Sequence, residues 1–399
     1  MDKENTNTAL QGITQLVVDS TIGVTDVVET MHKRVVHPPF LPSTPIQHLI
    51  TNIAAITYQN IRWSSLFIGK SLQIVLQKLA PFIGNMKSTK KQQVLKSVLN
   101  GIVGDYLVEK QNPLAIEMEF KYDSKPIILN SESIRELIPN ANGKLLVLIH
   151  GSCMNDGLWT REEHNHGVEL AKEFNKTLVY LNYNSGLHIS KNGQQFSNLL
   201  DQLCANWPVV VQEITFLAHS MGGLVARSAA YYGKQKNWTN YLKKMIFLGT
   251  PHHGAPLEKV GNYLDAVLEN IPYTKPFAPL AKIRSAGVTD LRFGNLINED
   301  WQTKNRFELE KDQRQNIPLP ESVDCFSIAA ILSDTQKSTS KNIIGDGLVS
   351  LPSALGKHKI TNKNLNFKVE NTWIAYENSH LDLLNNPEVY QQIKSWIQD

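Results

Sequence analysis

Residues 214–230 read ITFLAHSMGGLVARSAA, and this stretch decides the fold. Ile214 to Ala218 is a short, continuous apolar run of the kind buried on both faces of a parallel sheet. A helix rich in Ala, Leu, Val and Arg begins within two residues of Ser220, and between strand and helix lies a tight turn of small residues. A serine held at such a bend projects its hydroxyl at the C-terminal edge of the sheet, where the helix N-terminus favours developing negative charge. Gly222 and Gly223 let the helix and the adjacent strands approach the turn, and Met221 offers a backbone N–H to an oxyanion. The usual form of the pattern is G-x-S-x-G; here Ala218, nearly as small, takes the first place. Ser220 is therefore the candidate nucleophile.

Working upstream, LLVLIHGSCMNDGLW at 145–159 is a second buried strand running straight into His150 and Gly151. The next residue, Ser152, is placed to aim a second backbone N–H at the same oxygen, a contribution often worth about 3 kcal/mol per donor. His150 is expected to order this loop. Cys153 lies on no elbow of its own and reads as structural. Further apolar runs follow the β pattern at Ile116 to Phe120, Leu178 to Tyr183, Lys244 to Leu248, Val323 to Ile331 and Thr372 to Tyr376, with helical or loop segments between them. Strands separated by helical crossovers indicate an α/β fold: a mostly parallel, twisted sheet with helices on both faces.

Two regions stand outside this alternation. Residues 1–112 read as a helical region, with apolar residues at helical spacing over Thr8 to Val36, Ile46 to Leu79 and Lys90 to Glu109, ahead of an α/β domain over 113–399. Internal packing is the ordinary use of such amphipathic faces, and peripheral membrane contact through these N-terminal helices is the second. Residues 255–321 carry several prolines and only short helical pieces, the pattern of a cap or lid insertion or of a structural excursion.

Composition narrows the function. The 399 residues carry a formal charge of +3, with no basic cluster interleaved with aromatics, so nucleic acid is not an expected partner. Cys153, Cys204 and Cys325 form no C-x-x-C pair and stand beside no histidines at ligand spacing, which implies neither a disulfide framework nor a metal. His164 and His166 are two apart, so a helix would splay them. The opening MDKENTNTAL lacks the basic and apolar regions of a secretory signal, and a cytoplasmic location is expected.

The pieces IHG, AHSMGGLVAR, LGTPHHGAP, GDGLV and NSHLDLL occur in that order between residues 149 and 384. Together they resemble bacterial lipases and esterases of the α/β-hydrolase superfamily. The resemblance implies chain order Ser, Asp, His, with the acid after a late strand and the histidine after the last. Asp346 matches the acid and His380 the histidine, against Asp334 and His358 as rivals. His252 and His253 match a loop bordering the active site, and with His150 and Cys153 they are expected to line the substrate pocket. The implied activity is hydrolysis of an acyl ester or lipid without a cofactor. A phospholipase, thioesterase or acyltransferase would use the same groups, and a fold that has lost its chemistry would bind without turnover.

Overall fold

The computed structural model describes residues 90–255, 284–302, 312–333 and 345–398. The helices expected over Thr8 to Val36 and Ile46 to Leu79, parts of the insertion (256–283 and 303–311) and the rival acid Asp334 lie outside the described residues. In chain order the helices are α1 (Lys90–Glu109), α2 (Ser131–Leu137), α3 (His166–Glu173), α4 (Ile189–Asn206), α5 (Met221–Tyr232), α6 (Ala286–Asp290), α7 (Leu351–Ala354) and α8 (Pro387–Gln398). The strands are β1 (Glu119–Tyr122), β2 (Lys125–Pro126), β3 (Lys144–Ile149), β4 (Thr177–Asn182), β5 (Glu213–His219), β6 (Leu242–Leu248), β7 (Asp324–Ile331) and β8 (Thr372–Tyr376).

All eight strands join one sheet in the order β2-β1-β4-β3-β5-β6-β7-β8. From β4 through β8 every pairing is parallel; β1 runs antiparallel to both its neighbours. Alternate side chains of the central strands feed separate cores. Val147, Ile149, Phe216, Ala218, Met245 and Phe247 face α1, α4 and α5, whereas Leu146, Leu148, Leu217, Ile246 and Leu248 face α3 and α8. This two-sided burial is the physical reason the strands read as continuous apolar runs.

The first strand begins three residues later than the apolar run suggests. The cause lies in α1, where the Asn100 side chain accepts from Ile116 N (2.9 Å) and donates to Leu114 O (2.8 Å). Backbone groups held this way are taken before the ladder starts. Helix α1 itself belongs to the sheet's core, with Val98, Ile102 and Leu107 fully buried. The described parts of the insertion are also packed down. Ser285 Oγ donates to Gly101 O of α1 (2.7 Å), Ala286 N donates to Asp105 Oδ2 (2.9 Å), and Val288, Leu291 and Ile297 are fully buried.

Candidate active site

Strand β5 ends at His219 and α5 begins at Met221, so Ser220 alone makes the turn. Its backbone sits at φ 54°, ψ −126°, a region that side chains avoid unless the surroundings enforce it. The enforcement is visible. Ser220 N donates to Leu248 O of β6 (2.8 Å), which anchors the turn to the neighbouring strand. A Cβ at Gly222 would overlap the carbonyl oxygens of Ile149 and His150, and one at Gly223 would overlap the Thr250 side chain. Only glycines let the first turn of α5 come this close to the ends of β3 and β6.

Asp346 follows β7 and His380 follows β8, strands that run parallel to β5. Asp346 Oδ2 and His380 Nδ1 are 2.7 Å apart. Asp346 Oδ1 accepts from Leu348 N (2.9 Å) and Val349 N (2.7 Å), so both carboxylate oxygens are engaged and the group cannot rotate freely. The chain around His380 is tied down as well, since His380 N donates to Asp346 O (3.1 Å). The His380 ring lies against Gly249, where an added Cβ would meet Cε1 and Nδ1 at 3.0 Å. Gly249 immediately follows Leu248, the residue that holds Ser220 N. Elbow and imidazole therefore converge on the C-terminal end of β6. Ser220, Asp346 and His380 are 1%, 2% and 3% exposed, an enclosure in which each electrostatic contact is worth more than in water.

The other residues singled out from the sequence occupy distinct positions. Ser152 follows the end of β3 and is buried; Met221 opens α5, so its N–H has no acceptor within the helix. The His150 ring stacks on Tyr183 at 4.3 Å, its Nδ1 meets Gly151 O at 2.8 Å, and burial pushes its pKa down to about 4. Cys153 is wholly buried beneath Gly101 of α1, and burial pushes its thiol up to about 12, which denies it a thiolate at neutral pH. His252 is buried between Phe247 and Phe367, with its Nδ1 3.4 Å from Arg227 Nη1. His253 Nδ1 lies 2.6 Å from Arg314 Nη2. His358 Nε2 is 3.7 Å from Asp312 Oδ2 and its ring packs beside His253, so it belongs to that cluster and not to the elbow.

His164 and His166 depart from expectation. Only His166 is helical; His164 sits in an isolated bridge with Arg161, and the two rings meet with His164 Nε2 2.7 Å from His166 Nδ1. The helical splay does not apply because α3 starts between them. No group of three or more His, Cys, Asp or Glu side chains able to hold a metal ion occurs among the described residues.

The sequence groups Asn184, Ser185 and His188 in a loop at the C-terminal side of the sheet without giving them a role, and several supporting contacts were not visible in it. Ser185 Oγ accepts from Cys153 N (3.0 Å), fixing the loop that carries Ser152. Asp290 accepts from Ile189 N (2.9 Å) and Asn295 Nδ2 (3.0 Å) and meets His188 Nδ1 at 3.0 Å, which ties the insertion to the start of α4. Gly101 and Gly104 of α1 press on Cys153 and Asn184. Their three-residue spacing on one helix face was the available signal.

A parallel sheet with an antiparallel edge, helices on both faces and a serine at a strand-to-helix elbow defines an α/β-hydrolase fold. Residues 140–374 match the family described as the PGAP1-like alpha/beta domain, and the chain belongs to that family. No curated protein matches it. Among solved structures it is similar to the mature Bacillus licheniformis lipase BlEst2 at 17% identity and TM-score 0.41, covering 63% of this chain and 92% of that one. It is also similar to the Pyrococcus furiosus esterase Pf2001 at 15% identity and TM-score 0.38, covering 65% and 82%. The Aspergillus fumigatus lipase B aligns at 11% identity and TM-score 0.39, covering 96% and 83%.

Proposed function

We propose that the protein is a serine hydrolase that cleaves a carboxylic ester, with Ser220 as nucleophile, His380 as base and Asp346 as its orienting acid. The observation that supports this reading is the 2.7 Å Asp346–His380 pair, whose ring lies against Gly249, one residue beyond the Leu248 carbonyl that holds Ser220 N in its strained elbow. The His380 imidazole takes the Ser220 proton as Oγ bonds to the acyl carbon, and Asp346 holds the tautomer in which Nε2 is the proton acceptor. The carbonyl π electrons move onto oxygen, and the N–H groups of Ser152 and Met221 donate hydrogen bonds to the resulting oxyanion. Collapse breaks the bond to the alcohol, which leaves with the proton from His380. Water then repeats the cycle on the acyl-enzyme, releasing the acid and restoring Ser220. Nothing in this cycle requires a cofactor.

The test combines a fluorophosphonate label with p-nitrophenyl esters from acetate to palmitate. The expected result is a single adduct mapped by mass spectrometry to Ser220, with turnover that identifies the preferred acyl length. Turnover confined to acyl-CoA or amides, or an unmodified Ser220, would reject the ester-hydrolase reading.

A further inference from the structure

The last residue of β5, His219, immediately before the proposed nucleophile, makes contacts that the proposed reaction does not use. It is 1% exposed, and its ring is wedged between three segments of the site. Its Nε2 meets the backbone oxygen of His380 at 3.2 Å, and the two rings lie 4.8 Å apart. Its Nδ1 lies 3.0 Å from where a Cβ on Gly151 would stand, against the loop that carries Ser152. Trp159 closes the remaining side edge-on at 6.4 Å.

A carbonyl oxygen can only accept, so Nε2 carries the hydrogen and donates it. Burial, followed by the neighbouring His380 charge, holds the His219 pKa well below the ordinary histidine range, which keeps the ring a neutral donor. The backbone of His380 is thereby held on both sides of its Cα: the N–H by Asp346 O at 3.1 Å and the C=O by His219.

We propose that His219 is a positioning residue whose Nε2–H bond to the His380 carbonyl fixes the base over Ser220; the inference rests on the proposed roles of those two residues. Without the bond, the His380 carbonyl loses this anchor, and the ring's position rests more heavily on the N–H bond to Asp346 O and the contact with the Asp346 carboxylate. A displacement on the order of 1 Å in such a group is enough to slow a reaction about a hundredfold.

Glutamine places an Nε2 donor near the position of the imidazole Nε2, whereas methionine has similar length and volume and no donor. His219→Gln is expected to keep kcat within about fivefold of wild type, and His219→Met to lower it about 10- to 100-fold, with KM changed less than about twofold in both. The bond then accounts for the rate even if burying the extra amide oxygen makes His219→Gln the less stable variant, an order that a purely structural role would not produce. Equal kcat in the two variants, or a loss confined to KM, would overturn the proposal. Fluorophosphonate labelling of wild type separates the two levels: no adduct at Ser220 removes the nucleophile and this proposal together, whereas normal labelling with equal kcat in the Gln and Met variants removes only the role of His219.

Discussion

Two glycine pairs press helices against the segments that follow the sheet's strands, and they differ in what surrounds them. Gly222 and Gly223 open α5, where glycine interrupts little regular helix, and they face backbone oxygens of β3 and the Thr250 side chain. Gly101 and Gly104 lie inside α1, where each glycine costs about 1 kcal/mol relative to alanine, and they face Cys153 and Asn184. Helix α1 is locally irregular between them, with Val103 at φ −133°, ψ 21°. The first pair shapes the elbow, and the second sets the height of the loop behind Ser152. Close approach offsets weak helix propensity in both, but only the first pair carries a recognisable strand-turn-helix context.

The widest separation between the two regions should appear in Ser220→Ala. On the proposed roles, turnover falls by about 10⁴- to 10⁶-fold while the thermal midpoint stays within a degree or two, because the change removes chemistry and no packing. Differential scanning calorimetry beside an ester assay checks both halves. Gly222→Ala comes next: the obstructing atoms are backbone and cannot rotate away, so a loss of about 3 kcal/mol in urea unfolding accompanies loss of turnover.

Acid should sharpen the contrast, because buried histidines cluster around the elbow and not along α1. His150 and His166 are pushed down to about 4 and about 3, and His219 and His252 lie well below the ordinary 6.5, with burial as the leading cause in each. The unfolded chain binds protons at these sites first, so stability is fully present above about pH 6.5 and falls as the pH drops towards the depressed folded values. At pH 5 each such histidine removes about 2 kcal/mol, measurable as a steep fall in urea midpoint between pH 7 and pH 5. A flat profile would show that these rings are hydrated.

The smallest expected effect lies at the second pair. Gly101→Ala overlaps Cys153 Sγ, the far atom of a side chain, and should cost about 1–2 kcal/mol with a modest drop in kcat. Cys153→Ala in the same chain should recover part of that loss, a coupling of about 0.5 kcal/mol or more in a double-mutant cycle. Strict additivity would break the link between α1 and the Ser152 loop.

Legibility in the sequence followed locality. Strands β3 through β7 could be read because each is largely a buried apolar run, β8 as a half-buried apolar run at the sheet's edge, and the Ser220 elbow because its pattern lies within five residues. Asp346 and His380 came only through a resemblance, since their pairing joins segments that no periodicity connects. The start of β1 was displaced by Asn100, a single polar side chain on a helix that looks ordinary in sequence. His219 escaped notice because its partner is a backbone oxygen, and backbone partners leave no mark in residue identity. The meeting of His164 with His166 depended on where α3 begins, which is the least readable property of a helix.

The order in which these groups leave the chain carries a consequence for incomplete molecules. Ser220 is made long before Asp346 and His380, and the last of the three follows the final strand. On the proposed roles, any fragment that stops between Ser220 and His380 holds the nucleophile without its base. Proteolytic clipping or premature termination in that stretch yields an inert product, and hydrolytic capacity appears only once the sheet has received its last strand.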